Sequence, residues 1–183
     1  MNKKLRLLVT QECEHNCTLC CNRQFDLNKI QTVDRWDYDE IMITGGNPLL
    51  NRPWYKITRR TIALVATIRK VQKTRNLQPS KIYIYTNTCD HEILSKLSNF
   101  ADGFVLTPHD YCELRDLMTF NYQFDDLIWP IYSSIRVNLF PEQESQLPDK
   151  FKWNKHIIVK HMEWIKDCPV PEGEDFRRLK VLF

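Results

Sequence analysis

Six short runs rich in Ile, Val, Leu and Tyr, separated by longer segments of helical period, limit the folds open to this chain more than any other feature. The runs are Leu5 to Thr10, Glu40 to Thr44, Lys81 to Thr86, Gly103 to Thr107, Ser134 to Leu139 and His156 to Lys160. Their near-continuous apolar character is that of strands buried on both faces, the pattern of a parallel sheet. Between the second and third runs, Ile57, Thr61, Leu64, Ile68 and Val71 recur at steps of four and three after Pro53, which predicts a crossover helix. Further helical segments are expected near residues 91 to 100, carrying Ile93, Leu94 and Leu97, and near 110 to 120. In the second, Asp110 is placed to cap a stripe of Leu114, Leu117 and Met118. A β-α alternation implies right-handed crossovers, with functional loops gathered at the carboxyl ends of the strands. Six strands are too few for an eight-stranded barrel.

At 183 residues the chain is expected to form one domain spanning 1–183, with a core large enough to need no disulfide. A 43% hydrophobic and 27% charged composition with a net charge of +3 argues against disorder. Two basic groups, Arg59, Arg60, Lys70, Lys73 and Arg75, and then Arg177, Arg178 and Lys180, read as solvated surface. No nucleic-acid-binding motif accompanies them, so nucleic acid is not an expected partner. The opening MNKKLRLLVTQE is too short and too soon interrupted for a secretory signal, and no apolar run approaches a membrane span. A cytoplasmic location with no membrane partner is the expectation, and seven cysteines then suggest reduced thiols and metal ligation.

Cys13, Cys17 and Cys20 form a Cys-x3-Cys-x2-Cys loop directly after the first strand. Three thiolates can mount three corners of a [4Fe–4S] cube and leave one iron open to a substrate or cofactor. Glu14, His15, Asn16, Thr18 and Leu19 supply a mostly polar connector. Cys21, adjacent to Cys20, reads as a bystander or a zinc-type competitor, and Cys89, Cys112 and Cys168 are scattered singly. At the end of the second strand, Gly45 and Gly46 are the residues required where backbone must approach a ligand closely or adopt positive φ. Both features fall on one rim of the sheet.

The loop in LLVTQECEHNCTLCCN followed by ITGGNPLL resembles the radical S-adenosylmethionine (SAM) enzymes, across roughly residues 5 to 140. That resemblance implies an α/β fold, a partial (β/α)6 barrel with a mainly parallel sheet. It also implies a [4Fe–4S] cluster on Cys13, Cys17 and Cys20, and SAM bound to the open iron. An electron from a donor such as flavodoxin or ferredoxin would cleave SAM to methionine and a 5′-deoxyadenosyl radical, which takes hydrogen from an organic substrate. Leu19 stands where similar enzymes often carry an aromatic residue beside the adenine. Gly45, Gly46, Asn47 and Pro48 stand at the family's Gly-Gly-Glu-Pro motif, Asn47 keeping a carbonyl acceptor for the SAM ammonium without the charge. Thr86 and Asn87 end strand three in the place of a Thr-Asn-Gly sequence. Thr107 ends strand four near the ribose, and Arg136 and Asn138 on strand five border the adenosyl or carboxylate groups. His109 and Asp110 either face substrate or cap a helix.

Two other readings of the cysteines stay open: a structural zinc site completed by His15 or Cys21, and a cluster that carries electrons without cleaving SAM. Within the enzyme reading, no second group of closely spaced cysteines suggests an auxiliary cluster. The compact core resembles glycyl-radical-enzyme activases, which act on a protein, and 7-carboxy-7-deazaguanine synthases, which act on a small molecule. Tyr122, Phe124, Trp129, Tyr132 and Phe140, between Asn121 and Pro148, are candidates for a substrate wall or for core. The stretch from about 141 to 183, with Trp164, Cys168 and FRRLKVLF, is expected to close the barrel, form a lid or join subunits.

Overall fold

The computed structural model describes residues 3–17, 20, 26–50, 56–124, 133–163, 165 and 169–183. Strands β1 (Lys4–Thr10), β2 (Glu40–Gly45), β3 (Lys81–Thr86), β4 (Gly103–Leu106), β5 (Ser134–Leu139), β6 (Ile157–His161) and β7 (Glu174–Arg178) form a single sheet. Their spatial order is β6-β5-β4-β3-β2-β1-β7, and every neighbouring pair is parallel. Helices α1 (Lys56–Thr74), α2 (His91–Leu97), α3 (Tyr111–Gln123) and the single turn α4 (Pro141–Glu144) complete the described elements with a 3-10 turn at Leu27–Lys29. The six expected strands are all present, with ends shifted by at most one residue.

From β1 to β6 each crossover advances in the same direction. Crossovers of one hand that never reverse direction put their helices on one face of the sheet. The buried residues follow that geometry. Leu5, Leu7, Ile41, Ile43, Ile82, Ile84, Phe104, Leu106, Ile135 and Val137 share one core with Val65 and Ile68 of α1, Leu94 and Leu97 of α2, and Leu114, Leu117 and Phe120 of α3. On α1 the inward stripe is Ile57, Thr61, Val65, Ile68 and Gln72, with Val71 only half-buried. Gln72 is held by bonds from its amide to Trp36 O at 2.9 Å and Ser80 Oγ at 2.5 Å. Asp90 and Asp110 accept from the amides of Ile93 and Glu113 and so cap α2 and α3, which answers the question left over Asp110.

The expectation of strands buried on both faces holds at the centre of the sheet, where Met42, Tyr83 and Val105 are buried on the helix-free face, and is corrected at β5 and β6, where that face is only partly covered or exposed. Between the core residues lie Arg6, Met42, Tyr83, Tyr85, Arg136, Asn138 and Lys160, all on the face that carries no helix. With a helix layer on one side only, the alternate side chains meet a cavity instead of a second layer.

Strand β7 was not among the expected runs. It pairs with β1 in register from Lys4↔Glu174 to Leu8↔Arg178, so the terminal segment becomes an edge of the sheet. Arg178 also binds the connection between β1 and β2, its Nε donating to Leu27 O and Ile30 O.

Candidate functional site

The carboxyl end of β1 is locked to β2 through backbone alone. Gly46 N donates to Thr10 O at 2.9 Å and Asn47 N to Glu12 O at 2.7 Å. Gly45 has φ +143°, and a Cβ there would lie 2.2 Å from Thr10 O; one on Gly46 would lie 1.9 Å from Glu12 O. Both contacts are with backbone, so no side chain can move aside and glycine is demanded at both positions. The β1–β2 register shifts between Leu8 and Thr10, where the chain turns into the cysteine loop. Motif and loop are therefore mechanically one unit.

That unit brings Cys13, Cys17 and Cys20 to a cavity of about 230 Å³ together with Gly45, Gly46, Thr86, Asn87 and Thr107. His15, His109, Tyr85 and Phe140 complete much of the wall. Cys13 is exposed, and Cys17 and Cys20 are partly so. Burial pushes the Cys13 thiol up, opposed by the His15 amide donating to its sulfur at 3.4 Å. Cys89 is fully buried and its thiol is pushed far above the ordinary range by that burial, while Cys112 is exposed on α3. Leu19, Cys21, Trp129, Tyr132, Trp164 and Cys168 lie outside the described residues.

Asn47 is not in the lining. It is 1% exposed, and its amide is committed inward. Oδ1 accepts from Thr86 Oγ1 at 2.7 Å and Leu49 N at 3.0 Å, while Nδ2 donates to Glu14 Oε1 and Thr88 Oγ1, each at 3.0 Å. An amide has two donor and two acceptor positions, and all four are occupied. Pro48 is likewise buried, its carbonyl accepting from Thr61 Oγ1 at 2.6 Å. The neutral side chain thus ties the glycine turn to β3 and to the cysteine loop, a task for which a charge is unnecessary.

Beside the cysteines lies a polar group in which Glu14, His15, Asn87 and His109 meet Glu113, the one member that sequence reasoning passed over. Glu14 Oε1 accepts from Asn87 Nδ2 at 2.9 Å, and the same nitrogen donates to Glu113 Oε1. His15 Nε2 and Glu113 Oε1 lie 2.5 Å apart, although 98 residues separate them in sequence. Glu113 Oε2 accepts from His109 N at 2.6 Å. Burial raises the Glu113 carboxyl above the usual carboxylate range, against the lowering effect of the His109 and His15 hydrogen bonds. Burial holds His109 below the ordinary imidazole value, and His15 beside it adds to that. The Asp110-x-x-Glu113 spacing, a helix-start signature, was the available sequence signal for Glu113.

Arg136 and Asn138 face a second, larger cavity of about 780 Å³, which shares Tyr85 and Phe140 with the first. Every strand contributes to it, through Arg6, Met42, Tyr85, Val105, Arg136, Lys160 and Glu174 among others. Residues after β6, including Ile165, Pro169 and Pro171, line it as well. Arg6 and Glu174 form an ion pair at 2.7 Å, without the alignment of a good hydrogen bond. The Arg136 guanidinium lies 4.2 Å from the Tyr83 ring centroid and donates to Tyr83 Oη at 3.0 Å. Asn138 Nδ2 donates to Thr107 Oγ1 at 3.3 Å, which joins the walls of the two cavities.

A scan against protein-family models, a search of curated proteins and a search of solved structures each return no match. Among the described residues no helix is long and apolar enough to cross a membrane.

Proposed function

We propose that this chain is a radical SAM-type enzyme that carries a [4Fe–4S] cluster on Cys13, Cys17 and Cys20 and acts on a small organic molecule. One observation carries the reading: the three cysteines and Gly45, Gly46, Thr86, Asn87 and Thr107, singled out from four separate stretches of sequence, line one cavity at the carboxyl ends of adjacent parallel strands.

The residues fit such a group. Cys13, Cys17 and Cys20 bring three thiols to one cavity, the donor set that such a cluster takes. Sulfur is the donor of choice for iron–sulfur ligation. When bound, the cluster would supply the electron that cleaves SAM. The protein's part is to place and shield. Cys13, Cys17 and Cys20 would hold the cluster at the mouth of β1, while the Gly45-Gly46 backbone would lie along the methionine portion of SAM. Thr86, Asn87 and Thr107 would offer hydroxyl and amide groups to the rest of it. Asn47 would act at one remove by fixing the turn. Aromatic Tyr85 and Phe140 stand between the two cavities and would keep water from the reacting atoms.

A partial (β/α)6 barrel is the architecture this reading takes. Strands about 4.8 Å apart in a flat seven-stranded sheet would leave the edges nearly 30 Å from each other. One cavity touching both β6 and β7 favours strong curvature. Its volume of about 780 Å³ is within the range of small-molecule sites, and the chain's own Met162, Glu163, Ile165, Pro169 and Pro171 help to wall it. A small substrate is therefore favoured over a protein loop. Arg136, stacked on Tyr83 and without a carboxylate partner among the described residues, is suited to an anionic or carbonyl group.

The deciding experiment is anaerobic reconstitution with iron and sulfide, reduction, and addition of SAM. Formation of 5′-deoxyadenosine is expected; its absence from cluster-replete protein would sink the enzyme reading. Iron and acid-labile sulfide at about four each per chain would separate a cluster from zinc.

A further inference from the structure

Glu14, His15 and Glu113 offer a carboxylate oxygen, an imidazole nitrogen and a second carboxylate oxygen, all within 4.8 Å of one another. Among the described residues no other three histidine, cysteine or acidic side chains converge so tightly. Ligand atoms about 2.0–2.2 Å from one metal ion stand roughly 3–4 Å apart, so small shifts separate this arrangement from a coordination shell: His15 Nε2 and Glu113 Oε1, 2.5 Å apart, would part to admit the ion while any wider gap closes.

The group is electrically unbalanced as it stands. Two carboxylates share one amide nitrogen of Asn87, and the only ion-pair partner of Glu113 among the described residues is His15. A second, independent sign comes from Asn87 itself. The residue is 5% exposed, and while its nitrogen is directed at Glu14 and Glu113, its Oδ1 is buried with nothing to accept from. Rotating the amide by half a turn would aim the oxygen at the two carboxylates, which is unfavourable unless a cation lies between them. A cation would also turn a carbonyl oxygen toward the site into a fourth ligand. Glu113 is already oriented for the role, because His109 N holds Oε2 and leaves Oε1 facing His15 and Asn87.

We infer that Glu14, His15, Glu113 and the Asn87 amide oxygen form a site for one divalent transition-metal ion, Mn2+, Fe2+ or Zn2+, distinct from the three cysteines. A mixed set of two carboxylates, one imidazole and one amide oxygen suits these ions better than Ca2+ or a thiophilic metal. The ion would fasten three distant segments: the cysteine loop through Glu14 and His15, the end of β3 through Asn87, and the first turn of α3 through Glu113.

The inference does not depend on the cluster, and its test leaves the cluster out. The full chain carrying Cys13→Ala, Cys17→Ala and Cys20→Ala is titrated with Mn2+ alone, then Zn2+ alone, by calorimetry, with the Mn2+ spectrum read by electron paramagnetic resonance. One ion per chain is expected, with a rise in Tm that grows with metal concentration. Adding Glu113→Gln, which keeps an acceptor for His109 N, should weaken binding by about 100-fold or more, and His15→Ala similarly. Asn87→Ala should cost about tenfold, whereas Asn87→Asp should restore or tighten binding, an outcome that a purely packing role would not produce. Where the triple variant proves unstable, the wild-type chain with alkylated thiols repeats the titration. No binding up to about 1 mM metal, or binding indifferent to Glu113→Gln and His15→Ala, would overturn the inference.

Discussion

The two faces of the sheet are built from the same strands and differ in almost everything else. In β5 the residues Ile135, Val137 and Leu139 are each 1% exposed or less, under the helices, while Arg136 and Asn138 between them line the larger cavity. In β3, Ile82 and Ile84 are sealed, and Tyr83 and Tyr85 turn the other way to stack on Arg136 and to wall both cavities. The helix-covered face supplies stability through burial. The open face, where polar groups meet a cavity, is available for recognition and chemistry. A period of two is enough to keep these tasks apart, because consecutive side chains of a strand leave on opposite faces.

Changes that break the contrast should be largest at the cysteine rim. Alanine at Cys13, Cys17 or Cys20 is expected to abolish the visible absorbance of the reconstituted cluster, whereas alanine at buried Cys89 or exposed Cys112 should leave it nearly intact. Equal loss from all five would remove the assignment. Gly46→Val, whose Cβ would meet Glu12 O at 1.9 Å, should distort the loop and reduce iron content several-fold. A smaller loss from this variant than from Cys89→Ala would deny that motif and loop are one unit.

The core face is next in size. Phe104→Ala empties a fully buried position and should destabilise by about 3–5 kcal/mol in urea unfolding. Arg136→Gln, on the opposite face of the next strand, should cost about 1 kcal/mol or less in the same experiment. On the enzyme reading, that variant should lower substrate turnover far more than it lowers stability. A stability loss as large as that of Phe104→Ala would erase the distinction between the faces.

The smallest expected effect is the pH dependence of the β7 edge. Asp175 is subject to burial, which alone would raise its carboxyl, but bonds from Arg177 Nε at 2.7 Å and Tyr38 Oη at 2.6 Å hold it below the ordinary value. A carboxyl depressed in the folded state contributes stability that is present above its unfolded pKa of about 3.9 and is lost as pH falls through the folded value. Asp175→Asn should therefore flatten the loss of stability in acid. At the other extreme, burial and the bond to Asp175 push Tyr38 up to about 12, so stability should fall as pH rises from about 10 through that value. Urea midpoints of wild type and Asp175→Asn between pH 3 and pH 11 check both signs.

Much of the frame was legible because its signals are local. The strand runs, the stripe of α1, the Asp110 cap and the placing of Cys13 and Gly45 at successive strand ends all depend on residues within a few positions of each other. The missing strand shows the limit. GluAspPheArgArg, residues 174–178, has one apolar residue and is half-buried throughout, so it carries neither an apolar run nor a clear alternation. Its place in the sheet comes from pairing with β1, some 170 positions away.

The amino-acid order by itself determined the β-α repeat and the cysteine spacing, since each follows from short-range periodicity or is written in the chain directly. Tertiary structure alone decided what those elements meet. It turned Asn47 inward, carried Glu113 to His15 and left Asn87 with an unanswered oxygen, and it laid the C-terminal stretch along the open face. The reason is that these contacts join segments tens to more than a hundred residues apart. Their geometry is set by how a parallel sheet closes its loops, and no local pattern in the chain encodes that distance.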